Sequence, residues 1–269
     1  MVWKRNTNGR NKYYKKFINM KLYLYIFSLL LSSFTFAQSK TTAIVEYKQV
    51  NNGYFRSHYY CTLFIEGTTT IFLPKYNTTY VTEGEKINNE PKEIYPDWEY
   101  LKIDHGKQQI CFFGAFSTNF FLIKDDYNKL NWIISEEVKT IGGYQCTKAT
   151  TNFRGVDWIV WFAPEIALPY GPWKLHGLPG LILEASAGKG SPKWIVEKIE
   201  YKNGDIFDKD FKMLVDTKNK EAIPLKEFLE KNKEWSDNVT AKMKQERPDS
   251  TIYTAPIRGD YEEKYEWEE

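Results

Sequence analysis

Three histidines, His58, His105 and His176, are the side chains of this chain that titrate closest to neutrality. His58 lies among tyrosines and His105 precedes Gly106 at an expected hairpin turn, so both read as strand-pairing or surface residues. His176 stands inside Tyr170-Gly171-Pro172-Trp173-Lys174-Leu175-His176-Gly177-Leu178-Pro179-Gly180-Leu181-Ile182-Leu183-Glu184. An imidazole there suits a ligand or proton-transfer group oriented by Glu165 or Glu184, and it equally suits a neutral ring that satisfies backbone groups in a tight turn. No Gly-x-Ser-x-Gly, phosphate-cradling glycine loop, Cys-x-x-Cys or His-x-x-x-His occurs, so the sequence predicts no catalytic set, metal site or cofactor and leans away from an enzyme. Three cysteines allow at most one intramolecular disulfide, Cys146 to either Cys61 or Cys111, and their apolar neighbours suit buried thiols as well.

The elements that must position these groups are strands. Short runs rich in β-branched and aromatic residues recur at Thr42–Lys48, Ser57–Glu66, Thr69–Leu73, Glu99–Asp104, Gln109–Phe116, Asn119–Lys124, Asn131–Glu136, Tyr144–Asn152, Trp158–Ala163, Leu181–Ser186 and Lys193–Tyr201. With no crossover helices between them, they predict a mainly β protein: a single curved antiparallel sheet, a half-barrel-like meander of about eleven strands. One or two helices accompany it, the clearest at 224–235, where Leu225, Phe228 and Leu229 share a face. Between Lys75 and Asp97 a polar, proline-punctuated stretch predicts a long loop. In the signature, Gly171-Pro172 predicts a turn, Trp173 a return to the core, and Gly180 a position of positive φ before the next strand.

The ends of the chain differ in charge. Residues 4–21 carry seven basic and no acidic side chains, and an apolar run from Leu22 to Phe36 leads to Thr35-Phe36-Ala37. This predicts a signal peptide over 1–37, too short to remain as an anchor, with Met20 as a candidate true start. Without those seven, 30 of the 37 Lys and Arg face 35 Asp and Glu, and no basic aromatic patch is left for nucleic acid. One β domain is expected over 38–259, followed by an acidic solvated tail over 260–269 in which Tyr261, Tyr265 and Trp267 are candidate docking points.

The hexapeptide Gly177-Leu178-Pro179-Gly180-Leu181-Ile182 resembles the self-naming signature of the GLPGLI family, exported proteins of Bacteroidetes. Ile141-Gly142-Gly143-Tyr144-Gln145-Cys146-Thr147-Lys148-Ala149 and Trp161-Phe162-Ala163-Pro164-Glu165-Ile166, which leads into Gly171-Pro172, are similar to the family's other segments, so the likeness runs from about Asn131 to Tyr201. It implies a periplasmic, outer-membrane-associated or secreted protein without established activity. Tyr144, Cys146, Trp161, Gly171, Pro172, Trp173, His176 and the residues from Gly177 to Ile182 then form a structural core or a ligand rim. The aromatic fraction, 17%, exceeds what a simple core requires and suits a lined groove. The expected function is a non-enzymatic binding protein for a hydrophobic or peptide ligand. An accessory partner of an outer-membrane complex and a hydrolase using His176 are the alternatives.

Overall fold

The computed structural model describes residues 41–51, 57–77, 93–94, 100–188, 192–204, 206, 221–249 and 261–268. The expected signal peptide, with Met20, lies outside them, as does most of the expected loop between Lys75 and Asp97. The described residues, all from Thr41 onward, belong to one compact unit.

Among the described residues thirteen strands occur in chain order: β1 (Thr42–Asn51), β2 (Ser57–Glu66), β3 (Thr69–Asn77), β4 (Glu93–Ile94), β5 (Leu101–Asp104), β6 (Gln109–Phe116), β7 (Asn119–Asp125), β8 (Ile133–Ile141), β9 (Tyr144–Phe153), β10 (Val156–Ala163), β11 (Leu181–Ala187), β12 (Lys193–Lys202) and β13 (Ile223–Pro224). Among the described residues one helix, α1 (Leu225–Glu246), follows. All eleven expected strands are present. The two additions, β4 and β13, are two residues long, too short to show a period.

The sheet is open and runs β13-β7-β6-β5-β3-β2-β1-β12-β11-β10-β9-β8, with β4 paired to β3 alone. Every pairing is antiparallel except β13 on β7. The meander therefore begins in its own middle, where β1 is flanked by β2 and β12. Consecutive strands β7 and β8 lie at opposite ends of the sheet. Laid flat, the eleven strands from β7 to β8 would separate them by about 48 Å at about 4.8 Å per strand. The link from Asp125 to Ile133 reaches about 28 Å at full stretch. The sheet must curl, and the curl creates an inner face.

Alternation fills that face. Ala43, Val45 and Tyr47 on β1 and Cys61, Leu63 and Ile65 on β2 are buried in one cluster with Trp158, Val160, Leu181, Leu183 and Trp194. The opposite face of β1, β2 and β3 carries a smaller cluster, Phe64, Ile71, Leu73 and Tyr100. All three cysteines are free thiols, so the expected option of a disulfide from Cys146 to Cys61 or Cys111 is not realised. Burial pushes the Cys61 thiol up to about 12 despite a hydrogen bond from Trp194 that works the other way.

Helix α1 extends eleven residues beyond the expected end at Trp235. Its apolar stripe stops after Leu229, which hid the extension, but no helix breaker comes before Pro248. Arg247, the residue before that proline, leaves the helical region, as a pre-proline residue favours. The first turns pack Leu225 and Phe228 onto Ile123, beside Phe112, Phe116 and Phe121. Gly114 makes this approach feasible, since a Cβ there would lie 2.5 Å from Ile123 Cδ1 and 2.7 Å from Phe228 Cζ. Phe228→Ala is expected to cost about 3 kcal/mol in urea unfolding, because it removes the ring on which the helix seats. A loss below about 1 kcal/mol would show a helix resting loosely on the sheet.

Candidate functional site

Residues 164–180 interrupt the β10–β11 hairpin, whose register resumes with Ala163 opposite Leu181. The segment folds over the inner face and burial alternates along its first half: Ile166, Leu168 and Tyr170 point in, while Glu165, Ala167 and Pro169 are exposed. Its backbone bonds mostly to itself and to the strand that follows. Gly177 N donates to Pro169 O at 2.9 Å, Leu181 N to Ile166 O at 3.0 Å and Ile182 N to Tyr170 O at 3.0 Å. The Tyr47 hydroxyl, fully buried, donates to Ile182 O at 2.7 Å and ties the loop's exit to β1.

Glycines in the signature act differently from expectation. Gly177 has φ +90, whereas Gly180 does not adopt positive φ. Gly180 is required for space: a Cβ there would stand 2.2 Å from the carbonyl oxygen of Ala163. Gly171 is similarly confined, at 2.7 Å from Ile182 Cδ1. Trp173 takes φ +57, a conformation few large side chains occupy, so the turn expected at Gly171-Pro172 is completed by a strained tryptophan.

That strain delivers Lys174 into a buried ionic cluster. Across from it the β9–β10 hairpin turns through Arg154 (φ 50) and Gly155 (φ 83), a type I′ turn with an arginine at a position that usually goes to Asn, Asp or Gly. Arg154 donates from Nη1 and Nη2 to the two oxygens of Asp125 at 2.9 and 2.8 Å, from Nη1 to Glu262 at 2.5 Å and from Nε to Glu266 at 2.9 Å. Lys174 Nζ reaches Asp125 at 2.6 Å and Glu262 at 2.7 Å. Burial alone would raise the Asp125 carboxyl, but Lys174 and Arg154 hold it below the usual carboxylate range. The main chain joins in, since Glu263 N and Lys264 N both donate to Arg154 O at 2.8 Å.

Residues 261–268 are thus strapped onto the domain. The expected solvated acidic tail is corrected accordingly: Tyr265 is 4% exposed and packs with Ile123 and Phe228, and Glu262 is largely covered. Two of its acids, Glu262 and Glu266, are counter-ions to buried cations, which composition alone could not show. Tyr261 rests against Trp158, Trp173 and Trp194 with ring centroids 6.4, 5.5 and 5.3 Å away.

A second cluster joins both inner histidines. His105 lies 2.9 Å through Nδ1 from the Tyr127 hydroxyl and 3.1 Å through Nε2 from Thr70 Oγ1, and its ring is 4.4 Å from that of Tyr170 and 5.3 Å from that of His176. Burial, then His176, push His105 down to about 3 against the pull of Asp104. Burial also lowers His176, although the Lys174 carbonyl, 2.8 Å from Nδ1, works against it. The expected pairing of His176 with Glu165 or Glu184 is not present. Glu184 instead binds Lys139 and Lys193 at 2.9 and 3.0 Å, and Glu165 is exposed. His176 has the backbone-satisfying role, and Trp132 Nε1 fixes its carbonyl at 2.8 Å.

Of the other expected site residues, Cys146 is fully buried, Tyr144 and Trp161 are half-buried, and Lys139 sits 4.3 Å over the Trp161 ring. Pro172, Leu178, Leu181 and Ile182 are buried, whereas Pro179 is exposed. Sequence reasoning missed Asp125, Arg154, Lys174, His105 and Tyr127 as a set; only the Phe153-Arg154-Gly155-Val156 turn, arginine before glycine between two alternating runs, offered a local signal. Among the described residues no three His, Cys, Asp or Glu side chains gather as a metal site, and no helix is long and apolar enough to cross a membrane.

Residues 45–217, which run from within β1 to beyond β12 and include this loop, match the family described as N-glycanase peptide, N-terminal domain. The chain belongs to that family. Among solved structures, PNGF-II is similar in two crystal forms, each 19% identical, with TM-scores of 0.47 and 0.48 over 68% and 70% of this chain. The chain spans about a third of PNGF-II, 31% and 32% in the two forms. A LolA-superfamily protein from Nitrosomonas europaea is 9% identical with a TM-score of 0.27, over 65% of this chain and 91% of its own. No curated protein matches. Membership in the N-glycanase N-terminal domain family overturns the expected function, a non-enzymatic protein that binds a hydrophobic or peptide ligand. That reading leaned on the absence of catalytic motifs, and such an absence does not decide between a binding protein and an enzyme.

Two outcomes test the site's construction. Gly180→Ala is expected to lose about 1–3 kcal/mol by overpacking against Ala163, more than Gly177→Ala loses through φ alone; a reversed order in urea denaturation would contradict the close-approach account. Because His105 and His176 are held below their unfolded values, the unfolded chain binds more protons as pH falls, so their contribution is complete above about pH 6.5 and is lost at lower pH, for His105 toward about pH 3. His105→Gln, whose amide still serves Thr70 and Tyr127, should show a shallower fall in unfolding free energy between about pH 6.5 and 4. Equal slopes would remove His105 from the explanation.

Proposed function

We propose that this protein acts in the enzymatic release of N-linked glycans from peptides, as the N-terminal-type domain of an N-glycanase. The family match over residues 45–217 carries the reading, because it takes in the sheet from β1 to β12 together with the loop, the β9–β10 turn and the histidine cluster. In support, both acid–base clusters are internally committed: the carboxylate of Asp125 to Arg154 and Lys174, and the imidazoles to Tyr127, Thr70 and a carbonyl. Such groups stiffen a scaffold that presents a glycan-bearing peptide to the reaction. We place the protein among exported proteins, whether periplasmic, outer-membrane-associated or secreted, on the basic and apolar segment that ends at Ala37. The GLPGLI resemblance of residues 131–201 is part of the same proposal, as a second description of the β8–β12 half.

The mature protein is to be incubated with an N-glycosylated peptide and its glycan-free twin, with mass spectrometry for glycan loss and affinity chromatography for retention. Release of the glycan, or retention of the glycosylated form stronger by about tenfold, about 1.4 kcal/mol, is the expected result. Identical handling of the two peptides would overturn the proposal.

A further inference from the structure

Trp158 is the middle ring of a stack of three indoles, with Trp173 5.5 Å away at 29° and Trp194 5.7 Å away at 10°. The stack joins loop 164–180 to β10 and β12, at the centre of the inner face. Tyr261 is half-buried and lies across all three rings at interplanar angles of 45°, 52° and 45°. Its hydroxyl takes a hydrogen bond from Gln49 Nε2 at 3.2 Å, while Gln49 Oε1 accepts from Trp194 Nε1 at 2.9 Å. Apolar ring faces with one oriented amide beside them suit a ring that offers C–H groups on one face and hydroxyls around its rim.

A second observation concerns Trp158 itself. It is fully buried, yet its indole N–H finds no hydrogen-bond partner among the described residues. An unsatisfied buried donor is costly, and natural structures keep few of them without a use. Here it belongs to the central ring of the stack that Tyr261 covers.

We propose that residues 261–268 are a displaceable strap over a saccharide subsite, in which one pyranose ring takes the place of the Tyr261 ring on Trp158, Trp173 and Trp194. The sugar's C–H face would lie on the indoles and its hydroxyls would meet Gln49 and the Trp158 N–H. The strap's hold is ionic and comes from the domain: Glu262 and Glu266 on Arg154, and Glu262 on Lys174. Asp125 stays behind with both cations when the strap leaves, so the charges left in the domain keep a partner. This inference rests on the N-glycanase reading for its choice of sugar.

The probe is N,N′-diacetylchitobiose, titrated by tryptophan fluorescence against the intact mature chain and against Tyr261→Ala, which keeps the ionic strap and removes only the covering ring. Tyr261→Ala is expected to bind at least about tenfold more tightly than the intact chain and to shift its indole emission on binding, whereas Tyr261→Phe behaves as the intact chain. If Tyr261→Ala does not fold, as judged by near-ultraviolet circular dichroism, Glu262→Gln with Glu266→Gln loosens the strap while every ring of the core stays. A folded variant with unchanged sugar affinity overturns the subsite, and so does one that gains affinity only for N-acetyltyrosinamide, which would mark an aromatic peptide group as the occupant. The two readings fail separately. An intact chain that distinguishes the glycosylated peptide while Tyr261→Ala gains no sugar affinity sinks the strap alone; sugar affinity gained by a chain indifferent to the glycan sinks the proposed function alone.

Discussion

The bidentate pair between Arg154 and Asp125, both side chains 1% exposed, is the interaction on which the inner face depends. Asp125 is the last residue of β7 and Arg154 turns the β9–β10 hairpin, so the pair clamps together strands from opposite halves of an open sheet. Backbone ladders cannot do this, because no hydrogen-bonded path runs directly between those strands. Two charges taken from water cost several kcal/mol each, and only dense pairing offsets that. Lys174, Glu262 and Glu266 supply the density, so the loop and the C-terminal segment are recruited by one electrostatic need.

The same need explains two of the four described non-glycine residues at positive φ. Arg154 and Trp173 both lie at positive φ, and each is placed so that a cation enters the cluster: Arg154 itself and Lys174 next to Trp173. Local strain of about 1–3 kcal/mol per residue persists where surrounding contacts over-determine it. Here those contacts are the ion pairs below and the indole stack above. The glycines on either side handle sterics instead: Gly180 admits the Ala163 carbonyl, and Gly114 admits Phe228.

Local features of the fold were legible in the sequence, and features that join distant segments were not. Alternation marked eleven strands because each has one buried face, as in Ala43, Val45 and Tyr47. The half-barrel form followed from strands without crossovers. The C-terminal half of α1 was hidden because its few apolar side chains stay largely exposed and form no stripe, with Trp235 40% and Met243 48% exposed. Residues 261–268 were misread because Glu262 and Glu266 look like any solvated acids until Arg154, more than a hundred residues away, is placed beside them. The histidine cluster was hidden for the same reason: His105, Tyr127 and His176 share no period, and their meeting is decided by the curl of the sheet and the path of the loop.

A sheet that begins in its own middle also has a kinetic meaning. The β1 strand pairs with β2 at once, but its other edge waits for β12, with Thr42 opposite Lys202 and Val50 opposite Lys193. Closing a loop of that length must precede the reward for it, which places the domain among slow, high-contact-order folders. Until β12 arrives, β1 offers an unpaired row of amides and carbonyls with Ala43, Val45 and Tyr47 uncovered on one side, a surface open to wrong partners. That exposure spans the interval between synthesis of residue 51 and residue 202.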